Sequence, residues 1–231
     1  MSFDAEDIRQ NFIPEIEEFA KCLEARLLPT FSTIDQEAQR IEDDANMRRG
    51  QHATEYDDPA ASYEAAFDEG LSHYEMMCDI RQGLVNMFAA GLYHLFEQQL
   101  LRLCRFGIAG RPGLRGELPR DAAAARKELL KVNINLNKVA PWQRIYCELR
   151  LVANAIKHGD GHSCEVLRRI RPGLFDDPEL RTFPILRGER PVYHPLLGQG
   201  IYVELGDFTS YARSIVEFWG NVAKLIEGGT H

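Results

Sequence analysis

Apolar positions recur at helical spacing along most of this chain, and the breaks between the runs mark out its elements. From residues 4 to 28, Ile8, Phe12, Ile16, Phe19, Leu23 and Leu27 fall on one side of a helix that Pro29 closes. Pro14 inside that pattern predicts a kink or a restart. Residues 33–49 read as a very polar helix and 50–59 as a polar break, after which Asp58-Pro59 looks like a helix start. Between 60 and 106 the signal is strongest. Tyr63, Phe67, Leu71, Tyr74 and Cys78 form one stripe; Leu84, Phe88, Leu92, Leu95, Phe96, Leu100 and Leu103 form another. One long helix or two stacked helices both fit.

The glycines and prolines of 107–120 predict a loop, 121–131 a short helix, and 132–140 a link. Pro141 opens a further helix that Gly159 ends, and a turn then leads into a helix capped at Ser163. Residues 171–200 are irregular, 201–205 alternate enough for a short strand, and 207–227 read as a final helix with Asp207 as N-cap. The expected fold is mainly α: an antiparallel helical bundle with an irregular loop region and one short strand. It is read as a single domain, with 1–56 as an N-terminal helical extension, 57–170 as bundle core, 171–206 as loop segment and 207–228 as C-terminal helix.

The chain has 231 residues, 45% of them hydrophobic and 27% charged, enough for one substantial core. Its net charge of −8 gives no global attraction to nucleic acid. Contact with RNA or DNA therefore needs a local basic patch, for which Arg102–Arg126 and Arg168–Arg190 are the candidates. The five cysteines are far apart, odd in number and without a CxxC pair, which fits reduced thiols better than disulfides or zinc. The first residues are acidic and no apolar run is long enough to span a membrane, so a cytoplasmic location is expected and no membrane association.

One stretch has the ingredients of a site: Glu148-Leu-Arg-Leu-Val-Ala-Asn-Ala-Ile-Lys-His-Gly159. Arg150, Asn154, Lys157 and His158 recur at i, i+4, i+7 and i+8 and fall within about 100° around a helix. Ile145, Leu149, Val152 and Ile156 lie opposite. Ordinary helix ends also favour Lys and His in the last turn and Gly beyond it, and the polar row then is only a solvated face. The chemical reading is sharper. Histidine titrates near neutral pH and serves as acid or base. Arg150 and Lys157 can hold a phosphate and stabilise charge on it, and Asn154 can fix the imidazole or touch the scissile group. Such a set suits RNA cleavage without a metal, the 2′-hydroxyl acting as nucleophile.

This stretch resembles the signature helix of the HEPN superfamily (higher eukaryotes and prokaryotes nucleotide-binding). These are helical bundles of toxin–antitoxin, abortive-infection and other defence systems, whose catalytic members are metal-independent endoribonucleases. The resemblance covers about a dozen residues and the helical layout around them. It implies that His158 is the catalytic histidine, Arg150 the arginine and Asn154 its polar companion, in an active site shared across a homodimer. It implies RNA as ligand, a protein partner such as an antitoxin, and no cofactor or metal. Lys157 and Glu148 join the binding residues, with Arg81 and Glu97 of the neighbouring helix as supports. Two departures stand: seven residues separate Arg150 from His158, wider than the family's usual spacing, and Asn154 does not directly follow the arginine. The rival expectation is a non-catalytic helical interaction or dimerisation module.

Other constellations are weaker. His158, Asp160 and His162 around a glycine turn have the donor types for zinc or manganese, but a surface turn explains them as well. His94 and Glu97 at i, i+3 read as an intrahelical contact, since the Glu-x-x-His order of di-metal bundles is reversed. The arginines of 168–190 interleave with Phe175, Phe183 and Tyr193, a pattern suited to single-stranded RNA or to a solvated loop. Gly107–Gly116 lacks the Lys-Ser/Thr of a P-loop, and no Ser or Cys lies in a nucleophile motif.

Overall fold

The computed structural model describes residues 5–54, 56–107, 119–178 and 191–228. Helices α1 (Ala5–Asp7) and α2 (Ile13–Cys22) belong to one rod, joined by a π-helical turn at Ile8–Phe12 and extended by another at Leu23–Leu27. Pro14 does not break this rod. It sits in the first turn of α2, directly after the wide turn, where a missing N–H disturbs the ladder least. The rod, read from the sequence as an extension, forms a wall of the core: Ile8, Phe12, Ile16 and Leu23 are fully buried.

Helix α3 (Ile34–His52) turns back into α4 (Pro59–Arg102), which is one continuous helix of 44 residues. At the turn Asp57 accepts from the backbone and hydroxyl of Thr54, and Asp58 caps α4 by accepting from Ala60 N at 2.9 Å. The two helices meet closely at Gly70, where an added Cβ would lie 2.9 Å from the Ala38 carbonyl oxygen. Only the second half of α4 enters the main core, through Val85, Ala89, Leu92, Tyr93, Phe96 and Leu100. The Cys104 thiol beyond it is pushed up to about 12 by burial.

Helices α5 (Ala122–Lys131), α6 (Arg150–His158), α7 (His162–Ile170) and α8 (Leu205–Gly228) complete the bundle. Asp121 caps α5, accepting from Ala124 N at 2.7 Å. Phe12, Phe96, Trp142, Phe218 and Trp219 interlock at the centre, with neighbouring ring centroids 4.7 to 6.3 Å apart. The buried Gln99 ties three layers together. Its amide nitrogen donates to the Phe12 carbonyl and its oxygen accepts from Trp219 Nε1 at 2.6 Å.

Three local expectations need correction. Among the described residues there is no strand. Residues 201–204 form no regular element: Asn86 of α4 donates to the carbonyls of Pro195 and Ile201 and accepts from Val203 N, Gln82 donates to the Val203 carbonyl, and Tyr202 N donates to the Leu174 carbonyl. Asp207 is not the N-cap of α8, which begins at Leu205; it lies in the first turn and takes Arg171. Helix α7 starts at His162 with Gly161 before it, and Ser163 serves as partner to Asn154. The loop expected at 107–120 and the basic residues Arg181, Arg187 and Arg190 fall largely or wholly outside the described residues.

Candidate functional site

The polar row starts where a π-helical turn, Arg144–Leu149, passes into α6. The wide turn sends the Arg150 N–H to the Ile145 carbonyl, one residue further back than an α-helix does. The Tyr146 carbonyl accepts instead from Arg150 Nε, at 3.0 Å. This brings the guanidinium carbon to 5.0 Å from the centre of the Tyr146 ring. Arg126, from α5, approaches the same ring at 5.6 Å. Trp142 stacks on Tyr146 nearly parallel, 4.8 Å between centroids. Two arginines from two helices and the ring of Tyr146 thus form one half-buried platform, backed by the buried Trp142.

Tyr93 and Glu97 of α4 border it. The Tyr93 hydroxyl is held in its protonated form, first by burial and then by the charge of Glu97, with Arg150 acting in the opposite direction. Glu97 accepts from the Ala122 N–H at 3.1 Å and lies 3.8 Å from His94 Nδ1. It therefore steadies the start of α5, as a carboxylate at a helix N-terminus does.

The other expected residues are distributed elsewhere. Asn154 is half-buried and its amide reaches Ser163 Oγ at 3.5 Å, toward α7. Lys157 and His158 are exposed, and neither makes a hydrogen bond or ion pair among the described residues. Arg150 and His158 are separated by about 12 Å of helix rise, and Arg150 folds back toward Tyr146. Within one chain the arginine, amide and imidazole do not converge on one point. Glu148 receives Arg171 and the Tyr211 hydroxyl, and Arg171 also holds Asp207 at 2.6 Å. Burial opposes the Arg171 charge, yet Asp207, Tyr211 and Glu148 together keep it fully protonated. Burial and Glu148 likewise push the Tyr211 hydroxyl above its ordinary range. That cluster fastens α7 to α8. Arg81 lies apart from the platform, lining a cavity of about 350 Å³ with Tyr74, Cys78, Gln82, Asp177 and Tyr202.

The glycine turn after α6 is structural. Asp160 accepts from Val192 N at 3.0 Å and lies 3.8 Å from Arg168. Among the described residues no group of three or more His, Cys, Asp or Glu is placed to hold a metal ion. The cysteines are free thiols, and no described helix is long and apolar enough to cross a membrane.

Helical spacing within the polar row does not include Tyr146, Trp142 or Arg126. A signal for the first was present, since Tyr146 stands one turn before Arg150 at i, i+4. Arg126 comes from a different helix, and nothing local announces it. Comparison with protein-family models, curated proteins and solved structures finds no match to this chain.

Proposed function

We propose that the chain is a HEPN-like RNA-binding protein that works as a homodimer, with RNA held at the Arg126–Tyr146–Arg150 platform and along the Lys157–His158 end of α6. The observation that carries this reading is the pair of arginines on one stacked tyrosine. Guanidinium groups beside an aromatic surface suit phosphates and unstacked bases of single-stranded RNA. Metal-independent cleavage follows in this reading only where two copies meet. His158 of one copy then supplies the proton transfer while Arg150 of the other neutralises the phosphate, because one chain holds these groups too far apart.

The test is binding and cleavage of a labelled single-stranded RNA in EDTA, with sedimentation to give the oligomeric state. Arg126→Ala with Arg150→Ala is expected to abolish binding. His158→Ala is expected to abolish cleavage and retain binding. Equal RNA binding by the wild type and the double variant rejects the proposal. The second reading, a non-catalytic interaction module, is favoured by Asn154 being engaged with Ser163. A dimeric wild type that neither binds nor cleaves the RNA selects that reading.

A further inference from the structure

The half of α4 that leaves the core carries the stripe Tyr63, Phe67, Leu71, Tyr74 and Cys78, of which the first three lie in solvent and the last two are half-buried. Tyr63 is 66% exposed, Phe67 52% and Leu71 40%. Helix α3 packs on a neighbouring face, through Gly70 and the buried Ala66, and so does not shield it. At its foot the stripe runs into the 350 Å³ cavity, which Tyr74 and Cys78 also line. Five apolar positions at helical spacing thus end in a hole, over about 22 Å of helix.

Charge identifies what covers it. Residues 34–80 hold thirteen carboxylates against three arginines, a net of −10, whereas the whole chain carries −8. The rest of the chain is therefore slightly positive, and the acidity is concentrated on this hairpin. Part of it is ordered beside the stripe: Glu64, Asp68, Glu75 and Asp79 follow Tyr63, Phe67, Tyr74 and Cys78 by one residue each, making a parallel acidic row. Glu64–Asp68 and Glu75–Asp79 are like-charge i, i+4 pairs, an arrangement that costs helix stability. The cavity lining sets Asp79, Asp177 and Glu204 against Arg81.

We infer that this face of α4 docks a basic amphipathic helix from another protein. Its apolar residues lie on Phe67 and Leu71, its lysines or arginines on the acidic row, and one long cationic side chain enters the cavity with its stem against Tyr74. A second copy of the hairpin is a poor occupant, because it brings another −10 to the contact; RNA is repelled for the same reason. This inference does not depend on RNA binding at the platform, which is built on α5 and the start of α6 and borders only the other half of α4.

The probe is a synthetic helical peptide with leucines at four- and three-residue spacing and lysines flanking them, compared with a scrambled isomer of equal charge. Binding to the full chain is read by fluorescence anisotropy at about 0.15 M salt. The wild type is expected to prefer the patterned peptide at least about tenfold, and Phe67→Ser with Leu71→Ser to lose that preference. Should that variant misfold, Glu64→Lys with Asp68→Lys changes only exposed charges and is expected to weaken the patterned peptide by the same order. Equal affinity for both peptides overturns the inference, as does undiminished binding by either variant. A wild-type dimer that the serine variant converts to monomer also overturns it, assigning the stripe to a second copy.

Discussion

The Arg150 side chain is bound to Tyr146 twice, by a 3.0 Å hydrogen bond from Nε to the carbonyl and by stacking of the guanidinium 5.0 Å from the ring centre. The ring orients the arginine and the π-helical turn supplies the carbonyl. Tyr146→Leu keeps apolar contact with Trp142 but removes the face that both arginines share. The expected result is about a tenfold loss of affinity for single-stranded RNA, ~1.4 kcal/mol, with little change in melting temperature. Filter binding alongside thermal unfolding checks both parts.

The helical elements were legible because periodic apolar positions report local geometry directly. Periodicity says less about what covers each face. Tyr63, Phe67 and Leu71 have core spacing yet lie in solvent, since α3 packs beside them on Ala66 and Gly70. The residues of the α6 row do share a helix, but their neighbours come from α5 and α8, remote in sequence, and from α7 across the glycine turn. That is why Asn154 turned toward Ser163 and Glu148 toward Arg171 could not be foreseen from the dozen residues around them. The 201–204 segment shows alternation without a partner strand, because its backbone bonds go to the side chains of Asn86 and Gln82 and to the Leu174 carbonyl.

Glu148 offers a separation of structure from ligand binding. Its carboxylate joins Arg171 and the Tyr211 hydroxyl in a partly buried cluster with Asp207. Glu148→Gln leaves the Arg171 charge with one carboxylate, at a cost of about 2 kcal/mol, below that of a fully buried pair because water reaches the group. Unfolding in urea is expected to record this loss while RNA affinity stays within twofold of wild type. A large fall in affinity with unchanged stability would return Glu148 to the binding surface.

Asn86 holds the 195–203 segment on α4 with two donated bonds, of 2.7 and 2.8 Å, and one accepted bond of 3.2 Å. Asn86→Ala removes these three bonds in a buried place, and of the two carbonyls only that of Pro195 keeps a second donor, Gly198 N at 3.3 Å. The expected cost is about 3 kcal/mol, or about 10 °C in melting temperature for a chain of this length. Gly83→Ala attacks the same contact sterically, since its Cβ would fall 2.2 Å from the Leu196 carbonyl oxygen. Both variants should raise the hydrogen-exchange rate of 195–203 more than that of α8; uniform protection in both regions would show that the anchor is dispensable.

Alkaline pH should unfold this protein through its buried tyrosines. Burial raises Tyr93 and, with the charge of Glu148, raises Tyr211 further; Tyr202 is pushed up to about 12 by burial and by its bond to Asp177. In the unfolded chain each of these hydroxyls loses its proton near pH ~10. Between that pH and the higher native values the native state binds more protons than the unfolded state, so stability falls as pH rises. Below pH ~10 all three are protonated in both states, and their contribution is fully present. Tyr211→Phe removes one such group. It also removes the 2.6 Å bond to Glu148, so the variant is less stable than wild type at pH 7, by about 1 kcal/mol. Its stability should then decline less steeply than that of wild type above pH ~10, the two curves approaching each other as the pH rises. Urea unfolding at a series of pH values reads both slopes directly. Parallel curves across the alkaline range would mean that Tyr211 ionises as readily in the folded protein as in the unfolded chain.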